Sequence, residues 1–311
     1  MEFTIEVDGV IYEISKQVNK VSFKENMNDG CGKLEFTYIS NGAVIKNGSV
    51  VRFKYKGNNV FYGYVFKVSR SNEKEISVTA YDQLRYCKAK DTVVVEKDTI
   101  TTLTTKMCNY YNLKMGKLTD TKYILKTNVQ ENTTWLDIIY SAINETLVYK
   151  GEWYVLKDEF GSVCIRDVAD MELDLILGDK SLVYGYDYDK SIDDEFYNYI
   201  KIVSKNESNK QAEVIVKSDL PSIERYGLLQ YFEEMNDSNK SQIGQKAEML
   251  LSLYNKERET LSIKCLGDMR VRSGTSFYAL ISDIELKKRL IVKSVTHDFI
   301  PIHTMSLEVA I

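Results

Sequence analysis

A β-meander that occurs twice limits what this chain can fold into more than any single motif does. In the C-terminal copy Leu261, Ile263 and Cys265 alternate with Ser262 and Lys264, the period of a half-buried strand. Gly267-Asp268 turns the chain, Ser273-Gly274-Thr275 turns it again, and runs at residues 276–281, 290–296 and 304–310 complete the meander. The N-terminal copy keeps that order. Leu34, Phe36 and Tyr38 alternate, Asn41-Gly42 turns, Val44 leads to Asn47-Gly48-Ser49, and runs follow at 50–55, 61–68 and 75–79. Aligned by pattern, Val65-Phe66-Lys67-Val68-Ser69 falls on Ile291-Val292-Lys293-Ser294-Val295, and Ile76-Ser77-Val78-Thr79 falls on Met305-Ser306-Leu307-Glu308. The expectation is two related β-modules in one chain.

With 311 residues, 44% of them hydrophobic, the chain has apolar surface enough for two or three cores. Two prolines and no long Gly/Ser tract leave no flexible linker, so the domains are expected to be packed or interleaved. A net charge of -4, spread along the chain, gives no basic footprint for nucleic acid. Met1-Glu2-Phe3-Thr4 opens directly into strand alternation without the regions of a secretion signal, and no stretch approaches a membrane span. Five scattered cysteines, Cys31, Cys87, Cys108, Cys164 and Cys265, read as reduced packing residues of a protein made in the cytoplasm.

Asp8-Gly9 between apolar runs marks an opening hairpin, and closely spaced turns suggest a small barrel or sandwich ending near Thr79, with Asp82 capping a helical turn after it. This is the first module, residues 1–90. Residues 91–170 change to an α/β pattern. Asp98 or Thr99 caps a helix with Ile100, Leu103, Met107 and Tyr110 on its apolar stripe. Thr134 and Asp137 open a second helix with Leu136, Ile139, Ile143 and Leu147, and a hairpin at 153–168 follows. Residues 171–311 form the second module, with a helical insertion at about 218–258. There Pro221 breaks the chain, and a helix over 239–258 carries Ile243, Ala247, Leu250, Leu251 and Tyr254 with Asn239 and Gln242 as caps. The fold class is α+β, mainly β.

Catalytic constellations fail. His297 and His303 fit no zinc spacing and read as turn residues near strand ends, and Trp135 and Trp153 read as core. The acidic run Asp187, Asp189, Asp193, Asp194 and Glu195 has Ser191 and Ile192 where a calcium loop needs a ligand and a glycine. No nucleotide loop or nucleophile elbow occurs. Carboxylate pairs for glycoside hydrolysis stay open, because their separation is invisible in sequence. No catalytic residue, cofactor or metal is assigned.

Several blocks in one order along the chain carry a resemblance. They are Ala80-Tyr81-Asp82-Gln83-Leu84, Thr134-Trp135-Leu136-Asp137-Ile138-Ile139, Asn198-Tyr199-Ile200-Lys201-Ile202 and Glu224-Arg225-Tyr226-Gly227-Leu228-Leu229-Gln230. Leu266-Gly267-Asp268 with Val271, Ser273 and Gly274, and Val292 with Ser294-Val295-Thr296-His297-Asp298-Phe299, complete the set. The whole resembles the baseplate hub proteins of contractile phage tails and phage-tail-like bacteriocins, of the defective-prophage (XkdQ-like) type. The resemblance implies two tube-like β-barrels per subunit and a homotrimeric ring that joins a sixfold tail tube to a threefold central spike. It also implies contacts with other baseplate proteins, assembly in the bacterial cytoplasm, release by lysis, and nucleic acid only as cargo through the lumen. In that reading Gly48, Gly274, Asp82 and Gly227 are turns and caps. Val51, Phe53, Tyr55, Phe277, Tyr278 and Leu280, on strands taken as sheet edges, are subunit or tube contacts. A cell-wall glycan-binding or lytic tail-tip module, and a generic β-rich binder, are the alternatives.

Overall fold

The computed structural model describes the whole chain except residues 41–44, 71–73, 194, 207–210 and 237–239. The expected Asn41-Gly42 turn, Val44, Asp194, the Asn239 cap and the Gln242 side chain therefore lie outside the described residues. The chain divides into two compact units, residues 1–187 with 262–311, and residues 188–261.

In the first unit, Asp8 and Gly9 at φ 51° and 80° close the hairpin of β1 (Glu2–Val7) and β2 (Val10–Glu13). Strands β3 (Val18–Asn26), β4 (Lys33–Ile39), β5 (Val50–Tyr55), β6 (Asn58–Arg70) and β7 (Glu75–Tyr81) follow in the spatial order β3-β4-β7-β6-β5-β1. Alternate side chains gather in one core that includes Phe3, Phe23, Leu34, Phe36, Tyr38, Phe53, Val65 and Val78.

The next segment builds its own core. It comprises β8 (Lys90–Val95), α1 (Ile100–Tyr110), β9 (Met115–Leu118), β10 (Asn128–Thr134), α2 (Trp135–Lys150), β11 (Tyr154–Asp158) and β12 (Val163–Asp167). Thr99 and Thr102 cap α1 reciprocally, and the Thr134 hydroxyl accepts the Asp137 amide hydrogen at 3.1 Å. Ile100, Leu103 and Met107 meet Leu136, Ile139 and Ile143. Tyr110, expected on the buried stripe, is 66% exposed, and Cys108 packs inside instead. The buried face of α1 is centred on Ile100, Thr104 and Met107, and at 100° per residue Tyr110 falls at its rim and turns to solvent.

After β13 (Glu172–Gly178), strand β14 (Val183–Ser191) leads toward the second unit. In that unit β15 (Tyr199–Asn206) is central, antiparallel to β16 (Gln211–Ser218) and parallel to β17 (Gln230–Asn236). α3 (Leu220–Tyr226) lies between β16 and β17, and α4 (Lys240–Tyr254) packs Ile243, Ala247 and Leu250 on Ile200 and Ile202. Three expectations change here. Pro221 starts α3 rather than breaking the chain, because a missing amide hydrogen costs nothing in the first turn of a helix. The insertion begins near residue 188 rather than 218, since the helix needs a sheet of its own to cover its apolar face. The long helix also ends at Tyr254, not at Arg258, which opens the next strand.

The chain returns through β18 (Arg258–Leu266), β19 (Ser276–Ile281), β20 (Leu286–Asp298) and β21 (Thr304–Ala310). Their order, β18-β21-β20-β19, repeats β4-β7-β6-β5, and the repetition extends to single bonds. Gly48 donates to the Val65 carbonyl at 2.8 Å and Gly274 to that of Val292 at 2.9 Å. Val65 donates to Ser49 and Val292 to Thr275, both at 2.9 Å. The ladder slips after Val65 in one copy and after Val292 in the other. The pattern alignment of Val65 with Ile291 is thus off by one. Val292 is its equivalent, and both valines are buried, whereas Ile291 is only half-buried. The turn between β19 and β20 is longer than that between β5 and β6, and a neighbouring pair of apolar residues hides the shift.

Candidate functional site

For a protein whose modules repeat, the place where the modules meet decides what they can build. β3 of the first module pairs antiparallel with the C-terminal half of β20, from Asn26 opposite Ser294 to Ser22 opposite Asp298, so both modules share one thirteen-stranded sheet.

Behind this seam lies a buried charge cluster. Glu25 of β3 sits at a core-facing position in line with Val21 and Phe23, and is 7% exposed. Arg272 donates to both its carboxylate oxygens, at 2.7 and 2.6 Å, and the Ser273 amide adds a third bond at 2.6 Å. Lys157 of β11 approaches Glu25 at 3.9 Å and donates to the Ser273 carbonyl at 3.2 Å. The Arg272 guanidinium also stacks 4.9 Å from the Phe23 ring centre. Burial pushes the Glu25 carboxyl up, but Arg272 and Lys157 outweigh it and hold the group well below the usual carboxylate range. Burial pushes Lys157 down, against the pull of Glu25. First module, second module and α/β segment are thus tied at one point.

Polar groups around the cluster are matched as well. The Asn28 side chain donates to the Tyr154 carbonyl at 2.8 Å and accepts from the Leu156 amide at 3.0 Å. Tyr140 donates to the Gly30 carbonyl at 2.8 Å. Asp82 caps the 3-10 turn Gln83–Lys88 through the Leu84 amide, and takes the Gly32 amide at 2.6 Å. Gln83 reaches Asp158 at 2.7 Å. Desolvation and the nearby Asp158 carboxylate push Asp82 well up, and desolvation lifts Asp158 to about 6.

His297 is not a turn residue. It is a fully buried residue of β20, and its ring nitrogens face the Val271 carbonyl at 2.8 Å and His303 at 3.0 Å. Burial lowers its pKa to about 4. A neutral histidine inside the fold contributes stability that is complete above the unfolded value near 6.5 and is lost as pH falls through 4. Chemical denaturation of the parent chain is therefore expected to lose about 3 kcal/mol more between pH 6.5 and 4 than the His297→Gln variant does. Equal slopes for the two would contradict a neutral buried His297.

Gly48 and Gly274 occupy their equivalent turns at φ 86° and 83°, and Gly227 ends α3 at φ 80°. The proposed contact residues fare differently. Val51, Phe53 and Phe277 are fully buried, so they are core, and β5 and β19 each have strands on both sides. Tyr55 is half-buried against Phe299 and His303. Tyr278 is 38% exposed, and Leu280 is half-buried. Sequence reasoning missed Glu25, Lys157 and Arg272. The available signal was a charge at an apolar position of an alternating strand, as Glu25 is after Val21 and Phe23.

A family model described as YQBQ-like matches residues 21–310. The chain belongs to the YQBQ-like family. A relative, the phage-like element PBSX protein XkdQ of Bacillus subtilis (strain 168), is 28% identical over 278 residues, 88% of this chain and 83% of that protein. The 43 kDa tail protein of prophage MuSo2 from Shewanella oneidensis has a similar fold, with a TM-score of 0.71 at 13% identity over 100% of this chain and 98% of that one. So does the E. coli c3393 protein, a component of the type VI secretion system with structural similarity to T4 bacteriophage tail proteins gp27 and gp5. Its TM-score is 0.59 at 10% identity, over 98% of this chain and 76% of that one. This YQBQ-like chain is similar in sequence to a protein of a phage-like element, and in fold to a prophage tail protein and a type VI secretion component.

Proposed function

We propose that the chain is a structural baseplate hub without enzymatic activity, three copies of which close a ring between a sixfold tail tube and a threefold central spike. The observation that carries this reading is the bond-by-bond equivalence of the turns at Gly48 and Gly274 and of the slips after Val65 and Val292. Two equivalent modules in each of three subunits present six similar surfaces on one side while the ring keeps threefold symmetry. The charge cluster at Glu25 supports the reading, because it fixes one module against the other. In this role residues 1–90 and the second module line the ring, and residues 91–170 face other baseplate proteins. Assembly takes place in the bacterial cytoplasm, release is by lysis, and nucleic acid passes only as cargo. Sedimentation of the purified chain at micromolar concentration tests this. Three times 35.9 kDa is expected, and a chain that stays monomeric with tube and spike proteins present would contradict it.

A further inference from the structure

On the face of the seam that points away from Glu25 lies a cleft of about 430 Å3, within the size range of small-molecule sites. Its floor is fixed by bonds within the chain. The Met27 amide donates to the Lys293 carbonyl at 2.7 Å, the Ser294 hydroxyl donates to Asn26 Oδ1 at 2.9 Å, and the Asn26 amide donates to Asp29 at 3.3 Å. The Asn28 bonds to β11 and the Tyr140 bond to Gly30 hold the same loop from the other side. Trp153 closes one wall. Gly151 ends α2 at φ 72°, and the Trp153 carbonyl accepts the Val168 amide hydrogen at 2.9 Å.

The rim, in contrast, is unengaged. Among the described residues, the Lys24 and Lys293 ammonium groups, the Glu308 carboxylate, the Asn144 amide and the Trp153 indole N–H have no hydrogen-bond or ion-pair partner, and all five residues line the cleft. Lys293 is the informative one. It is the residue left without a ladder partner at the slip in β20, and a bulge of this kind re-aims a side chain. Its equivalent at the slip in β6 is Phe66, which packs against Tyr81, Tyr86 and the Arg85 guanidinium of its own chain. The same device is satisfied internally in one module and left free in the other.

We infer that this cleft binds a short neutral saccharide of pyranose rings, a site additional to the hub role and independent of ring closure. Charge argues against a simple anion, because Lys24 and Lys293 share the cleft with Asp29 and Glu308. Every sugar hydroxyl both donates and accepts, and the rim offers both: donors at Lys24, Lys293 and Trp153, an acceptor at Glu308, and one of each at Asn144. The half-buried Trp153 and Tyr140 rings supply apolar surface for the C–H face of a pyranose. A floor already held by its own hydrogen bonds adds little ordering cost on binding.

Indole emission of the full-length chain is followed during titration with chitotriose, cellotriose and maltotriose, and separately with oligoglutamate as an acidic peptide. Trp135 is buried and bonded to Asp91, so a change reports Trp153. At least one trisaccharide is expected to give a saturable shift, weakened about tenfold by Lys293→Ala and several-fold by Asn144→Ala. Lys67→Ala, next to Phe66 and outside the cleft, is expected to leave it unchanged. All three positions are exposed, so the fold survives each substitution. Emission that no trisaccharide changes, or a shift that both cleft variants keep, would overturn the site. Oligoglutamate acting in place of the sugars would also overturn it, and would make the cleft a seat for an acidic segment of another protein.

Discussion

Glu25→Gln is expected to destabilise the first unit by about 3–5 kcal/mol, the usual cost of removing one partner from a buried ion pair. The variant keeps the shape of the side chain and two of its hydrogen-bonding positions, but leaves the Arg272 guanidinium buried without a counter-charge. Lys157 can respond by releasing its proton, since burial already lowers its pKa; an arginine has no such escape. The double variant Glu25→Leu with Arg272→Met is therefore expected to recover most of the loss, because an apolar pair of similar volume removes the desolvation penalty on both sides. Both tryptophans, Trp135 and Trp153, lie in the first unit, so their fluorescence during urea unfolding reports that unit alone. A single variant within about 1 kcal/mol of the parent would show that the cluster does not hold the seam.

Gly63→Ala has the second large effect. A Cβ at this position of β6 would stand 2.2 Å from the Tyr81 carbonyl oxygen, 2.8 Å from the Tyr81 carbonyl carbon and 2.6 Å from the Phe61 ring. The ring could swing away, but the carbonyl belongs to β7, which pairs with β6 from Tyr64 onward. The strands must separate, at about 1–3 kcal/mol for an overpacked site. The comparison with Leu290, its equivalent in β20, is informative: there a full side chain fills the core, so the two modules reach the same topology with different packing. A Gly63→Ala variant that melts with the parent would contradict the close approach of β6 and β7.

Much of the architecture could be read from period and turn chemistry. Leu34, Phe36 and Tyr38 announce β4, and Leu261, Ile263 and Cys265 announce β18, because burial on one face imposes strict alternation. The Thr134 cap and the Gly48 and Gly274 turns follow from local bonding needs that act over a few residues. What failed depends on long-range placement. Val51, Phe53 and Phe277 lie on strands that look like edges until β1 and β13 are laid beside them. The Glu25–Arg272 pair spans 247 residues, and nothing local marks either partner for the other. His297 differs: it continues the buried face of Val295 in β20, but the partners that satisfy its ring nitrogens, His303 and the Val271 carbonyl, come from outside the strand.

End-on imaging of the purified ring tests the hub most directly. Three chains should give a threefold ring whose inner wall shows six similar lobes, two from each chain, matching the equivalence of the Gly48 and Gly274 turns. A ring of six chains, or a threefold ring in which only one module of each chain reaches the inner wall, would contradict it.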